Sequence, residues 1–155
     1  EESDDAVRVV ASKPLGHTHV KTLPYPGFPT DMQPPMGTLL CLANGTSVIT
    51  EGVYDNRFKY MNELRKMGAA VTVDGRVAVV EGVETLRGAS VDACDLRAGA
   101  AMVIAGMCAV GTTIVEDIHY IERGYEDIVG KLRAVGADIH VVDEPEAEKE
   151  EARIG

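Results

Sequence analysis

The chain has 155 residues, 45% of them hydrophobic, and a formal net charge of −10. That share of apolar residues supports an ordinary globular domain with a real core and excludes a wholly disordered chain. The acidic balance excludes binding nucleic acid through a basic face, and no apolar run approaches the ~18 residues of a membrane span.

The chain opens on acidic residues, Glu1 to Asp5, with neither a secretory-signal pattern nor an initiator Met, and so reads as a piece of a longer protein. Residues 7–11 and 19–23 are β-branched runs around Pro14-Leu15-Gly16 and read as a leading strand pair, a hairpin or adjacent strands. Residues 24–29 hold three prolines and Gly27, a stiff elbow that delivers Thr30 and Asp31 to a fixed place. Asp31 is expected to cap a helix, with Pro34 and Pro35 in its first turn, an apolar face of Met36, Leu39, Leu40 and Ala43, and Gly45 as its stop. Residues 47–50 read as a strand. Asp55 or Asn56 caps a second helix with Met61, Leu64 and Met67 inward and Gly68 at its end. Residues 71–73 and 77–80 flank Asp74-Gly75, a hairpin signal, and residues 90–93 form another strand.

Asp95 then caps residues 96–109, apolar on nearly every side and therefore a helix buried on more than one face. Residues 112–116 read as a strand and residues 124–135 as an amphipathic helix with Tyr125, Ile128, Leu132 and Val135 on one face. Residues 139–142 read as a closing strand. Residues 143–155 carry six acids and two bases and read as a disordered acidic tail.

Much of this order is written twice. Gly45-Thr46 recurs as Gly111-Thr112, Arg57 as Arg123, and Leu64-Arg65 before Gly68-Ala69 as Leu132-Arg133 before Gly136-Ala137; Asp31 is matched by Asp95. The spacing divides residues 1–142 into two α/β units, about 31–93 and 95–142, after the leading strands. Each unit offers a carboxylate and a guanidinium, a plausible basis for an anion-handling site. As helix caps Asp31 and Asp95 need no further role, and Arg57 and Arg123 read equally as surface charges, although a cation at a helix start opposes the macrodipole.

The cysteines, Cys41, Cys94 and Cys108, have neither disulfide nor zinc spacing. Cys41 and Cys108 lie in apolar helical stretches and read as small buried hydrophobes, which fits a reducing cytoplasm. His17 and His19 lack a third ligand, and His119 reads as part of a turn. Asn44-Gly45-Thr46 fits a helix stop better than a glycosylation site.

Four ordered motifs give the sequence a specific likeness. Tyr25-Pro26-Gly27-Phe28-Pro29-Thr30-Asp31-Met32-Gln33, then Val48-Ile49-Thr50-Glu51 with Asn56-Arg57-Phe58, then Asp95-Leu96-Arg97-Ala98, then Arg123-Gly124-Tyr125-Glu126, resemble the UDP-N-acetylglucosamine 1-carboxyvinyltransferase family of enolpyruvyl transferases. The resemblance implies an α/β (α+β) fold of repeated βαβαββ-type units, part of one lobe of an inside-out α/β barrel. It implies transfer of the enolpyruvyl group of phosphoenolpyruvate to the 3-hydroxyl of UDP-N-acetylglucosamine, the first committed step of peptidoglycan synthesis. By that likeness Asp31 is the general base, and Asp95 orients an arginine or assists proton transfer. Val53 meets the UDP-sugar through its backbone, and Arg97 and Arg123 face phosphoenolpyruvate or product, with Arg57 at the equivalent turn. No metal or organic cofactor is implied. The partner is the missing lobe of the same enzyme, and the isolated chain is expected to be inactive. Two alternatives stand beside it: an enolpyruvyl-shikimate-phosphate synthase, which would carry Asp-His-Arg where this chain has Asp95-Leu96-Arg97, and a non-catalytic binding module of the same fold.

Overall fold

The computed structural model describes residue 2, residues 4–11 and residues 13–142; the acidic stretch 143–155 lies outside the described residues. Two parallel strand pairs, each with a helix between its strands, organise the chain. Strand β1 (His19–Lys21) pairs with β2 (Thr46–Thr50), and helix α1 (Gln33–Leu40) connects them. Strand β5 (Ser90–Asp92) pairs with β6 (Ile114–Glu116), connected by α3 (Leu96–Cys108). Val48 faces His19, and Ile114 faces Ser90, so the second strands of the two crossovers meet their partners at positions 66 residues apart. The left-handed turns recur at the repeat positions too: Gly45 and Gly111 have φ of 96° and 97°, Gly68 and Gly136 of 89° and 98°. Those values suit glycine, which has no Cβ to clash.

The first pair is extended by a hairpin. Helix α2 (Tyr60–Lys66) leads into β3 (Ala70–Asp74), which turns through Gly75 and Arg76 into β4 (Val77–Glu81), and β4 lies antiparallel to both β2 and β3. The sheet order is β1-β2-β4-β3, while β5 and β6 form a separate two-stranded sheet. Short helices α4 (His119–Glu122) and α5 (Ile128–Ala134) follow β6.

Helix α3 is the shared centre. Asp95 caps it through Oδ1, which accepts the Arg97 and Ala98 amides at 2.8 Å each. Its small residues Ala98, Gly99, Ala100, Ala101 and Ala105 are buried and let α1, α2 and α4 approach closely. Met61, Leu64 and Met67 of the α2 region are 0% exposed and fill the main core, each contributing about 1.5–3 kcal/mol by removal from water. A smaller cluster of Ala93, Val103 and Ile121 lies under α5. Among the described residues no helix is long and apolar enough to cross a membrane.

Several expectations are corrected. Residues 8–11 form no strand, with Val9 86% exposed; β1 pairs with β2 instead. Asp31 caps nothing. It lies inside a 3-10 turn (Thr30–Met32), because Pro29 supplies the entry, and α1 begins only at Gln33. The buried face of α1 is Gln33, Pro34, Gly37, Thr38 and Leu40, leaving Leu39 46% exposed, and the helix ends at Leu40 before Gly45. Neither Asp55 nor Asn56 caps α2, whose N-cap is Lys59; Asp55 pairs with Arg76. Helix α5 starts at Ile128 behind a left-handed Asp127, and Val135 is 81% exposed. Residues 139–142 have no strand partner and are not a strand.

The cysteines differ in access. Cys41 is buried, and burial pushes its thiol up to about 12; burial also raises Cys94. Cys108 ends α3 beyond its buried run and is exposed, contrary to the buried expectation. Iodoacetamide at about pH 8 is therefore expected to label Cys108 first, Cys94 more slowly, and Cys41 only in denaturant, read by mass spectrometry. Native labelling of Cys41 at the rate of Cys108 would overturn that burial pattern.

Candidate active site

The proline elbow closes on itself. Leu23 N–H donates to the Phe28 carbonyl at 3.0 Å and Gly27 N–H to the Pro24 carbonyl at 2.9 Å, while Thr22 N–H continues the β1–β2 ladder onto Thr50 at 2.9 Å. Rigid backbone therefore carries the chain from a sheet strand straight to Asp31. On the facing side, the end of β2 turns at Glu51 into a loop carrying Val53, Tyr54 and Arg57. The two sides border an open cleft of about 270 Å³ lined by Leu23, Tyr25, Thr30, Asp31, Val53 and Tyr54, among others.

Asp31 is the meeting point of two guanidinium groups. Arg57 Nη2 donates to Oδ1 at 3.1 Å and Arg97 Nη2 to Oδ2 at 3.2 Å. Arg97 is 66 residues away in sequence and is brought in by the start of α3. Its Nη1 donates to the Tyr125 hydroxyl at 3.0 Å; that bond, with the Asp31 carboxylate beside it, raises the Arg97 guanidinium above its ordinary value. Each arginine also lies against a tyrosine ring, Arg57 over Tyr54 at 5.4 Å and Arg97 over Tyr125 at 5.8 Å. The Asp31 side chain is 55% exposed, so each of these ion pairs contributes at most ~1 kcal/mol to stability. Holding the fold together is thus a poor reason for the arrangement. Two cations beside one accessible acid at a cleft can bind an anionic group when they leave that acid, with a carboxylate then at hand as a general base.

Of the residues singled out from the sequence, Arg57 and Arg97 both touch Asp31, and Val53 shares the cleft lining with Asp31. The Val53 amide is occupied by Glu51 Oε1 at 2.8 Å. Asp95 sits one step behind, at the helix start that carries Arg97. Arg123 stands apart: its guanidinium carbon lies 5.5 Å over Tyr120, and among the described residues no ion pair joins it to Asp31. No group of three or more potential metal ligands occurs among the described residues.

Sequence reasoning missed the tyrosines and Glu51. A signal for the first was present, since Tyr54 precedes Arg57 by three residues and Tyr120 precedes Arg123 by three, and both pairs stack. Glu51 is only 1% exposed, and its two oxygens meet the Val53 and Tyr54 amides, the Thr30 hydroxyl and the Gln33 amide. Burial raises its carboxyl, but the donors, Tyr54 N–H foremost, outweigh that and leave it below its ordinary value.

Comparison with known proteins gives one answer at family level. The family model for EPSP synthase (3-phosphoshikimate 1-carboxyvinyltransferase) matches residues 1–132. A UDP-N-acetylglucosamine 1-carboxyvinyltransferase 3 of Caldanaerobacter subterraneus subsp. tengcongensis is 60% identical over 139 residues, covering 90% of this chain and 33% of that protein. A UDP-N-acetylglucosamine 1-carboxyvinyltransferase of Desulfofundulus thermocisternus is 56% identical, covering 89% of this chain and 57% of that protein. The chain thus spans only part of the length of these relatives. Among solved structures, the enolpyruvyl transferase NikO from Streptomyces tendae superposes with a TM-score of 0.77 at 34% identity, over 83% of this chain and 30% of that one. EPSP synthase from Acinetobacter baumannii, at 20% identity and a TM-score of 0.57, shares the fold. The chain belongs to the EPSP synthase (3-phosphoshikimate 1-carboxyvinyltransferase) family of enolpyruvyl transferases.

Proposed function

We propose that this chain is part of an enzyme that transfers the enolpyruvyl group of phosphoenolpyruvate to the 3-hydroxyl of UDP-N-acetylglucosamine, the first committed step of peptidoglycan synthesis, in the cytoplasm. The observation that carries the reading is Asp31, held at a cleft edge between Arg57 and Arg97 at 3.1 and 3.2 Å. In this reading residues 1–142 form part of one lobe, with units at about 31–93 and 95–142, and the remainder of the same protein supplies the facing lobe.

The chemistry follows from those groups. Asp31 takes the proton of the sugar 3-hydroxyl, and the oxygen bonds to the central carbon of phosphoenolpyruvate as its methylene carbon gains a proton. One C–H bond of the methyl group so formed then breaks, its electron pair makes the new double bond, and the C–O bond to phosphate breaks to release phosphate and leave the enolpyruvyl ether. Arg57 and Arg97, joined by Arg123, exchange their present partners for the phosphate or carboxylate of the substrate, which guanidinium forks suit geometrically. Asp95 orients Arg97 by fixing the first turn of α3. Val53 offers its backbone carbonyl to the UDP-sugar, its N–H being taken. The reaction as written uses no metal or organic cofactor.

The shikimate alternative is disfavoured by Leu96 between Asp95 and Arg97. The test is turnover by the full-length protein: phosphate release from phosphoenolpyruvate is expected with UDP-N-acetylglucosamine and not with shikimate-3-phosphate. The reverse preference, or no release with either, overturns the reading. The present chain alone is expected to release no phosphate, since it spans a third of the length of a relative such as the Caldanaerobacter protein.

A further inference from the structure

We propose that Glu51 is a positioning residue, a buried acid that ties the elbow carrying Asp31 to the loop carrying Val53, Tyr54 and Arg57 and so sets the width of the cleft. The inference rests on the transferase reading for its consequence but on contacts alone for its geometry. Acids are among the residues least often found fully buried, and one at 1% exposure needs partners. Glu51 has them on both sides. Oε2 accepts the Thr30 hydroxyl at 3.0 Å and the Gln33 amide at 3.4 Å, both on the elbow-to-α1 segment that flanks Asp31. Oε1 accepts the Val53 amide at 2.8 Å and the Tyr54 amide at 3.0 Å, both in the opposite wall. Gly52 N–H adds a stitch of its own to the Thr22 hydroxyl at 2.8 Å. Tyr54 is in turn the ring beneath Arg57.

One carboxylate therefore fixes the residue before the proposed base and the residue that supports one of its two arginines. Four donors converge on it, so the ionised form is the one that satisfies them all, and its carboxyl titrates below the ordinary range accordingly. Without it, two backbone amides lose their acceptor, and the bond from Gly52 to Thr22 and the exposed Asp31–Arg57 pair are left to hold the two walls. Displacement of a reacting group by about 1 Å costs on the order of 10²-fold in rate.

A glutamine at this place has a way to fit. Its carbonyl can keep the Val53 and Tyr54 amides. Its NH₂ would then face the Thr30 hydroxyl, which can accept as well as donate, and Gln33, whose Oε1 is buried with no partner and is free to receive it once the amide turns over. An alanine has none of these options.

The experiment compares wild type, Glu51→Ala and Glu51→Gln in the full-length protein, by amide hydrogen exchange and by steady-state kinetics. In Glu51→Ala, exchange at Val53 and Tyr54 is expected to quicken by about tenfold or more, the effect of losing a charged acceptor, while the amides of Leu64 in α2 and of Met67 at its end stay protected. Its kcat is expected to fall on the order of 10²-fold with KM little changed, and Glu51→Gln to recover most of both effects. Unchanged exchange at Val53 and Tyr54, or kcat of Glu51→Ala within a few-fold of wild type, overturns the proposal. So does loss of protection throughout the domain, which would make Glu51 a general stability residue. Wild type without turnover sinks the transferase reading instead, and the exchange comparison then decides the tie by itself.

Discussion

Replacing Asp31 with alanine in the full-length protein is expected to lower kcat by about 10²–10⁴-fold, the usual contribution of a positioned acid–base group. The fold should survive the change. Asp31 is 55% exposed, lies in a 3-10 turn whose entry is set by Pro29, and caps nothing, so its removal takes away two surface ion pairs at most ~1 kcal/mol each. A large loss of rate with a small loss of stability is the signature of a chemical role, and thermal unfolding beside the kinetics reads both. Asp31→Asn sharpens the point. It keeps the size of the side chain and cannot take a proton, so its rate should resemble that of the alanine variant rather than wild type. A loss of only a few-fold in either variant would reduce Asp31 to a surface partner of Arg57 and Arg97.

The site was only partly legible in the sequence, and the reasons are specific. Local signals succeeded where one short-range rule decides the structure. Asp95 caps α3, the Gly75 turn makes the hairpin, and Met61, Leu64 and Met67 share the inward face of their helix. The resemblance of four motifs to one family is matched by the comparisons. What spacing cannot show is contact across the fold. Arg97 reaches Asp31 over 66 residues, and Arg57 reaches it over 26. Where the local rule for α1 failed, tertiary packing had replaced it: Gln33 is buried because Glu51 receives it, Gly37 because Tyr60 and Met61 of α2 lie against it, and Thr38 because α3 does. Glu51 itself stood inside a quoted motif, yet an acid at a strand end reads as solvated unless its four donors are seen.

The second large effect concerns stability, and it separates likeness in sequence from likeness in burial. Leu64 and Leu132 occupy the same place in the repeated Leu-Arg-x-x-Gly-Ala motif, and both sit near the end of a short helix before a left-handed glycine. Their surroundings differ. Leu64 is 0% exposed in the main core, under a four-stranded sheet and against α3. Leu132 is only partly buried, at the margin of the small cluster around Ala93, Val103 and Ile121. Leu64→Ala removes apolar contact and leaves a cavity that close-packed neighbours fill poorly, so it is expected to cost about 2–5 kcal/mol. Leu132→Ala opens onto solvent, where water replaces the lost volume without a void, and is expected to cost about 1 kcal/mol or less. Urea unfolding of the two variants, with equal m-values as the check on two-state behaviour, measures the difference. Equal losses would mean that the two units share one depth of core, and the asymmetry seen between the four-stranded and two-stranded sheets would then have no energetic counterpart.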